Sequence, residues 1–239
     1  MKKYWIGLFL SWMALNSHAV IISGDVTGGT ADTAGGAFVE LTLPFNPPFG
    51  NLNEVGQDTF QSPNLYAFNE GQNIELLAPL AVNLLSGGGS GDISTGTIIA
   101  SHYVFFDPLN SQSQLGFVTF DADILGVITS TALLAASDPL LINNNVNYLN
   151  PGLRGLENGD FATIDGSDSK RLNVDWTASS PGDFVRVITA FSKGGEDPCS
   201  TNPPGVGGCP RTNTVPEPAT WGLFALGLTA LGLTRRRKL

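Results

Sequence analysis

What most restricts the fold of this chain is the shortness of its apolar runs. Between residues 20 and 193 they span only a few residues each, broken by Gly, Asn, Ser, Asp and Pro, and helix-supporting charge pairs are almost absent. With 29 Gly and 15 Pro available for turns, this pattern predicts an all-β fold: a single antiparallel β-sandwich, jelly-roll-like, with long loops and one short helix. A segment of about 195 residues is long enough for one domain with a sizeable core.

The strongest strand signal is Thr97 to Phe106, where β-branched and aromatic residues fall on both faces, as in a strand buried on both sides. Leu115 to Asp121 and Ile124 to Ile128 follow as strands. Leu172, Val174 and Trp176 alternate with Asn173, Asp175 and Thr177, the pattern of a half-buried strand. Ser179 to Asp183 turns it and Phe184 to Phe191 returns, so 172–177 and 184–191 read as a hairpin. The amino-terminal third is expected to be loop-rich: a strand at Val20 to Ile22, a small polar stretch at Ser23 to Gly36, and a strand at Ala37 to Leu43 that Pro44 ends. Asn73 to Leu77 is a further candidate strand. Phe60, Tyr66 and Phe68 in the acidic segment 53–71 read as plugs for a core edge. The one short helix is Thr129 to Ser137, with Ser130 or Thr131 as cap and Asp138-Pro139 as its stop. The Gly run 86–92 lacks the Lys-Ser/Thr ending of a phosphate loop and reads as a turn.

Between Val20 and Thr214 the basic residues are Arg154, Lys170, Arg171, Arg186, Lys193 and Arg211, against twenty carboxylates, for a net charge near −14. Nucleic acid is thereby excluded as a partner class, since phosphate binding rests on Lys and Arg. No Lys or Arg occurs from Val20 to Leu153, where twelve carboxylates stand. Local salt bridges cannot neutralise them, so they are expected to be solvated or partly satisfied by divalent cations.

Candidate chemistry is sparse. His102 would be the only histidine of a chain cut after Ala19, and no Gly-x-Ser-x-Gly elbow accompanies it, so it reads as a hydrogen-bonded core residue. Asp121 and Asp123 share one face at a strand end, a candidate calcium corner, calcium being the one cofactor this pattern suggests. The same spacing also suits a plain turn. Asp165-Gly166-Ser167-Asp168 is a weaker candidate without the terminal Glu of a calcium loop. Cys199 and Cys209 bracket a small loop and read as a disulfide worth about 2.5 to 3 kcal/mol, with free thiols or a metal pair as weaker readings.

Both ends of the chain read as addresses. Residues 1–19 carry Lys2 and Lys3, an apolar stretch from Tyr4 to Leu15, and small residues at Ser17 and Ala19, which predicts a signal peptide cleaved between Ala19 and Val20. The domain is expected at 20–193, a Pro/Gly-rich linker with the disulfide loop at 194–214, and a sorting and anchoring segment at 215–239. That last segment has three parts: Pro216, Glu217 and Pro218; an uncharged run from Ala219 to Thr234; and Arg235, Arg236, Arg237 and Lys238. As a helix, Trp221 to Leu233 reaches roughly 20 Å, short of the about 30 Å of hydrocarbon a span must cross. A transiently inserted, later processed helix is therefore expected over a lasting anchor. The basic cluster stays cytoplasmic, which puts everything before it on the outer face.

The order Pro-Glu-Pro, short apolar segment, basic cluster resembles the PEP-CTERM sorting signal of exported proteins of Gram-negative bacteria. The resemblance implies recognition by an exosortase, a membrane-embedded protease or transpeptidase, in strains that make extracellular polysaccharide, and hence a location at the cell surface or outside the cell. Signal peptidase is the other implied processing partner. The stretches SHYVFFDP, VTFDADILGVI, RGLENGD and TASSPGDFVRVIT resemble a domain recurrent among such proteins, over about Ile98 to Thr189, which brings no assigned activity. The reading is an exported, exosortase-processed surface or matrix protein associated with exopolysaccharide, its sandwich non-catalytic. One alternative is a carbohydrate-binding module, calcium-assisted, presenting Tyr66, Tyr103, Tyr148 or Trp176; a second is a carboxylate-based glycoside hydrolase, which needs only two acids suitably spaced.

Overall fold

The computed structural model describes residues 20–191. In chain order, β1 (Ile21–Gly28) leads into a one-turn helix α1 (Gly29–Thr33), followed by the short strands β2 (Phe38–Glu40), β3 (Glu54–Val55), β4 (Leu65–Asn69), β5 (Ile74–Glu75), β6 (Leu80–Val82), β7 (Leu84–Leu85) and β8 (Gly91–Ile93). The long strands β9 (Ile98–Phe106) and β10 (Gln112–Phe120) come next, then β11 (Ile124–Ile128) and helix α2 (Thr131–Leu141). After β12 (Asn147–Tyr148) and a 3-10 turn at Pro151–Leu153, β13 (Phe161–Ile164), β14 (Arg171–Ala178) and β15 (Asp183–Ala190) complete the described chain.

Two sheets face each other. The smaller runs β1-β10-β14-β13; the larger runs β2-β4-β9-β15-β11-β7, with β5 also on β9. Pairing is antiparallel except at β2/β4 and β3/β12. The expected sandwich is therefore present. Its smaller sheet is half-buried: in β14, Leu172, Val174, Trp176 and Ala178 face inward while Asp175 and Thr177 face water.

The larger sheet is buried on both faces. Leu65, Ala67, Val104, Phe106, Val185 and Val187 fill the space between the sheets. Their sequence neighbours Tyr66, Phe68, Tyr103, Phe105, Phe184 and Ile188 point the other way, into a second core closed by Leu134 and Leu141 of α2 and by loop residues such as Phe45 and Phe60. Period-two alternation in β9 and β15 thus serves two cores rather than one core and solvent. Phe60, Tyr66 and Phe68 are core plugs, as expected.

Three local expectations are corrected. The stretch 172–177/184–191 is no hairpin: β14 lies in the smaller sheet between β10 and β13, and β15 in the larger between β9 and β11. The patterns differ because the layers differ, and each strand has both hydrogen-bonding edges occupied by others. Gly182 makes the crossing tight: at φ +86°, a Cβ there would sit 2.7 Å from the Phe106 carbonyl oxygen. Second, the polar stretch after Ile22 is strand as far as Gly28 and then α1, a second helix. As an edge strand, β1 turns only one face inward, so small polar residues suffice on the other. Third, α2 continues through Asp138-Pro139 to Leu141. Pro139 removes one backbone donor in the last turn, while burial of Leu141 and two arginine contacts to Asp138 hold that turn in place.

Candidate functional site

The densest polar assembly lies beneath α2, inside the second core. Arg186 projects from the middle of β15, fully buried, and its Nε and Nη2 donate to Glu70 Oε2 and Oε1 at 2.6 and 2.9 Å. The same guanidinium donates to the Leu134 carbonyl, to Ser137 Oγ at 2.6 Å and to Asp138 Oδ1 at 3.1 Å. Glu70 also accepts from Ser101 Oγ and from the Tyr148 hydroxyl. Arg154 forks onto both oxygens of Asp138. Burial opposes the charge of Arg186, but its surroundings, the Glu70 carboxylate foremost and then Tyr148 and Tyr103, together hold the guanidinium's pKa above its ordinary value. Burial, then Glu70, pushes the Tyr148 phenol well up. Two of the carboxylates that local salt bridges cannot neutralise, Glu70 and Asp138, are paired with arginines from beyond residue 153.

Between the sheets His102 spans a second, smaller line. Its Nδ1 donates to Asn69 Oδ1 at 2.7 Å, and its Nε2 accepts from Thr189 Oγ1 at 3.0 Å, with the Phe120 ring against it. Hydroxyl, imidazole and carboxamide stand in the order of a nucleophile, its base and an orienting group. Here the imidazole and the hydroxyl are sealed from solvent, and burial pushes the imidazole down to about 3. This is the hydrogen-bonded core histidine expected from the sequence.

Two acids sit at the other end of β9 and β15. Asp107 accepts from the backbone N–H groups of Asp58 and Phe60, while burial pushes its carboxyl up to about 6. Asp183 is buried and raised to about 8, by burial first and then by Asp160 and Glu157.

At the candidate calcium corner, protein groups engage both acids. Asp121 Oδ1 accepts from the Val20 N–H at 2.9 Å, Asp123 Oδ1 accepts from Ser169 Oγ at 2.6 Å, and the Lys170 ammonium donates to the Asp121 carbonyl. Asp165 folds onto its own turn, accepting from Ser167 and Asp168, and these bonds hold its carboxyl below the usual carboxylate range. Among the described residues no group of three or more His, Cys, Asp or Glu side chains is arranged to hold a metal ion.

Of the aromatics considered for sugar stacking, Tyr66, Tyr103 and Trp176 are buried in the two cores and Tyr148 is half-buried beneath the Glu70 network. None forms an exposed platform. On the outer face of the smaller sheet, the Phe117 ring is covered by the Arg171 guanidinium at 3.7 Å. A lone arginine in an otherwise apolar strand was the one signal in the sequence for the Arg186 network; its partners, 48 and 116 positions away, gave none.

Cys199, Cys209, Ala19, Pro216, Glu217, Pro218 and the cluster Arg235, Arg236, Arg237 and Lys238 lie outside the described residues. No curated protein and no solved structure matches the chain. One family model does match, at residues 214–238: the PEP-CTERM protein-sorting motif. The chain therefore carries a PEP-CTERM sorting signal at its C-terminal end, which implies processing by exosortase and export with transient anchoring in the membrane before delivery to the cell surface or beyond.

Proposed function

We infer that the protein serves as a surface or extracellular-matrix component associated with exopolysaccharide, and that its sandwich is a non-catalytic body carried by the sorting tail. The observation that carries this reading is the tripartite tail, matched at residues 214–238. Two features of the body support it: the polar groups that most resemble chemical machinery are spent on holding layers together, and the candidate stacking aromatics are spent on the cores. A strongly acidic domain stays soluble and repels anionic surfaces, which suits a component dispersed in a hydrated matrix.

Replacing Pro216, Glu217 and Pro218 together with alanine tests the tail. The expected outcome is a full-length form retained in the membrane fraction; unchanged mass and unchanged surface location would remove the sorting role. Cosedimentation of the processed protein with extracellular polysaccharide from its host tests the matrix role. Retention above that of an unrelated acidic protein is expected, and its absence would confine the reading to export alone.

A further inference from the structure

The turn from Asp121 to Asp123 grips both ends of the described chain. At one side Val20 and Asp121 are bonded twice, Val20 N–H to Asp121 Oδ1 at 2.9 Å and Asp121 N–H to the Val20 carbonyl at 3.1 Å. At the other, the N–H of Ala190, the last residue of β15, donates to the Asp123 carbonyl at 2.8 Å. So the residue that follows the expected signal cleavage and the strand that feeds the sorting tail meet on one three-residue turn. Lys170 and Ser169 brace it from the far side through the Asp121 carbonyl and the Asp123 carboxylate.

We propose that Asp121 is the receptor for the new amino terminus: signal cleavage turns the hydrogen bond from the Val20 N–H to Asp121 into an ion pair on the turn that also holds the end of β15. Hydrolysis breaks the Ala19–Val20 C–N bond, places the hydroxyl of water on the Ala19 carbonyl carbon and a hydrogen on the Val20 nitrogen, which takes a further proton from solvent. The nitrogen that donated as a neutral N–H then stands as an ammonium in hydrogen-bond reach of a carboxylate. Charge-assisted bonds of this kind are shorter and roughly twice as strong as neutral ones. Removing the signal peptide thereby tightens the corner from which the chain leaves toward the membrane. The proposal rests only on the amino-terminal half of the export reading and is independent of exosortase.

The test uses the processed protein recovered from its host, with its terminus sequenced. One variant inserts a single alanine between Ala19 and Val20. It leaves the Val20 N–H and Asp121 in place but moves the ammonium one residue away. The wild type is expected to melt about 2 to 4 °C higher than this variant, with a difference that shrinks in high salt. In an Asp121→Asn background the insertion should change nothing. Equal midpoints for wild type and insertion variant would overturn the proposal, because a merely structural hydrogen bond survives the insertion. So would a terminus other than Val20, a result that leaves the sorting tail untouched. Should Asp121→Asn fail to fold, the salt dependence of the first difference still decides.

Discussion

Arg186 occupies the centre of a strand with no water on either face, and every one of its hydrogen bonds goes to Glu70, Ser137, Asp138 or the Leu134 carbonyl. Breaking a buried pair strands a charge, whereas replacing both members removes the penalty as well. Arg186→Met alone is therefore expected to cost about 3 to 5 kcal/mol in chemical denaturation, and adding Glu70→Leu should recover most of it. Asp183 gives a pH signature. Its carboxyl is raised from 3.8 to about 8, so the folded state keeps a proton that the unfolded state releases. Its contribution is fully present below pH 4 and is lost as the pH rises through 8. Asp107, raised to about 6, acts in the same direction over a narrower window. His102 acts oppositely: lowered to about 3, it costs stability as the pH falls from 6.5 toward 3. Thermal melts should thus show Asp183→Asn raising the midpoint at pH 8 by at least ~3 °C while leaving it nearly unchanged at pH 4.

At the scale of elements, β9 and β15 carry the fold because they divide two cores. Phe105 stacks on Phe184 and Tyr66 with ring centroids 5.6 and 5.2 Å apart. Phe105→Ala is expected to cost about 3 to 5 kcal/mol. Phe161, on the exposed edge strand β13, should cost within about 0.5 kcal/mol when changed to alanine. Equal losses by chemical denaturation would contradict the two-core description. These strands were legible as strands because burial on both faces places apolar residues at even and odd positions alike, as in IIASHYVFF and FVRVITAF. The partner of each strand was not. Nothing local to residues 172–191 says that β14 and β15 join different sheets, since strand pairing depends on edges supplied from far along the chain. Most of strand β1 leaves no apolar pattern in the sequence because an edge strand with one wet face needs few apolar residues. Asp138-Pro139 carries the local signature of a helix stop, and the arginines that hold Asp138 in the helix are not visible near it in the sequence.

For the whole molecule, legibility divides by how each part is recognised. The sorting tail was readable because an enzyme meets it as a linear peptide: order and composition are the signal, and no fold intervenes. The Glu70–Arg186–Asp138–Arg154 network was hidden because it assembles only when β4, β15, α2 and the segment after it come together. The spacing of Asp121 and Asp123 between two apolar strands is visible in the sequence, but that Val20 and Ser169 engage their carboxylate oxygens is not. On this reading the chain is processed at both ends around a folded body. Intact mass and terminal sequencing of the protein taken from the outer surface of its host test it most directly. The expected species begins at Val20 and ends between residues 216 and 220; a species that still carries Leu239 would contradict it.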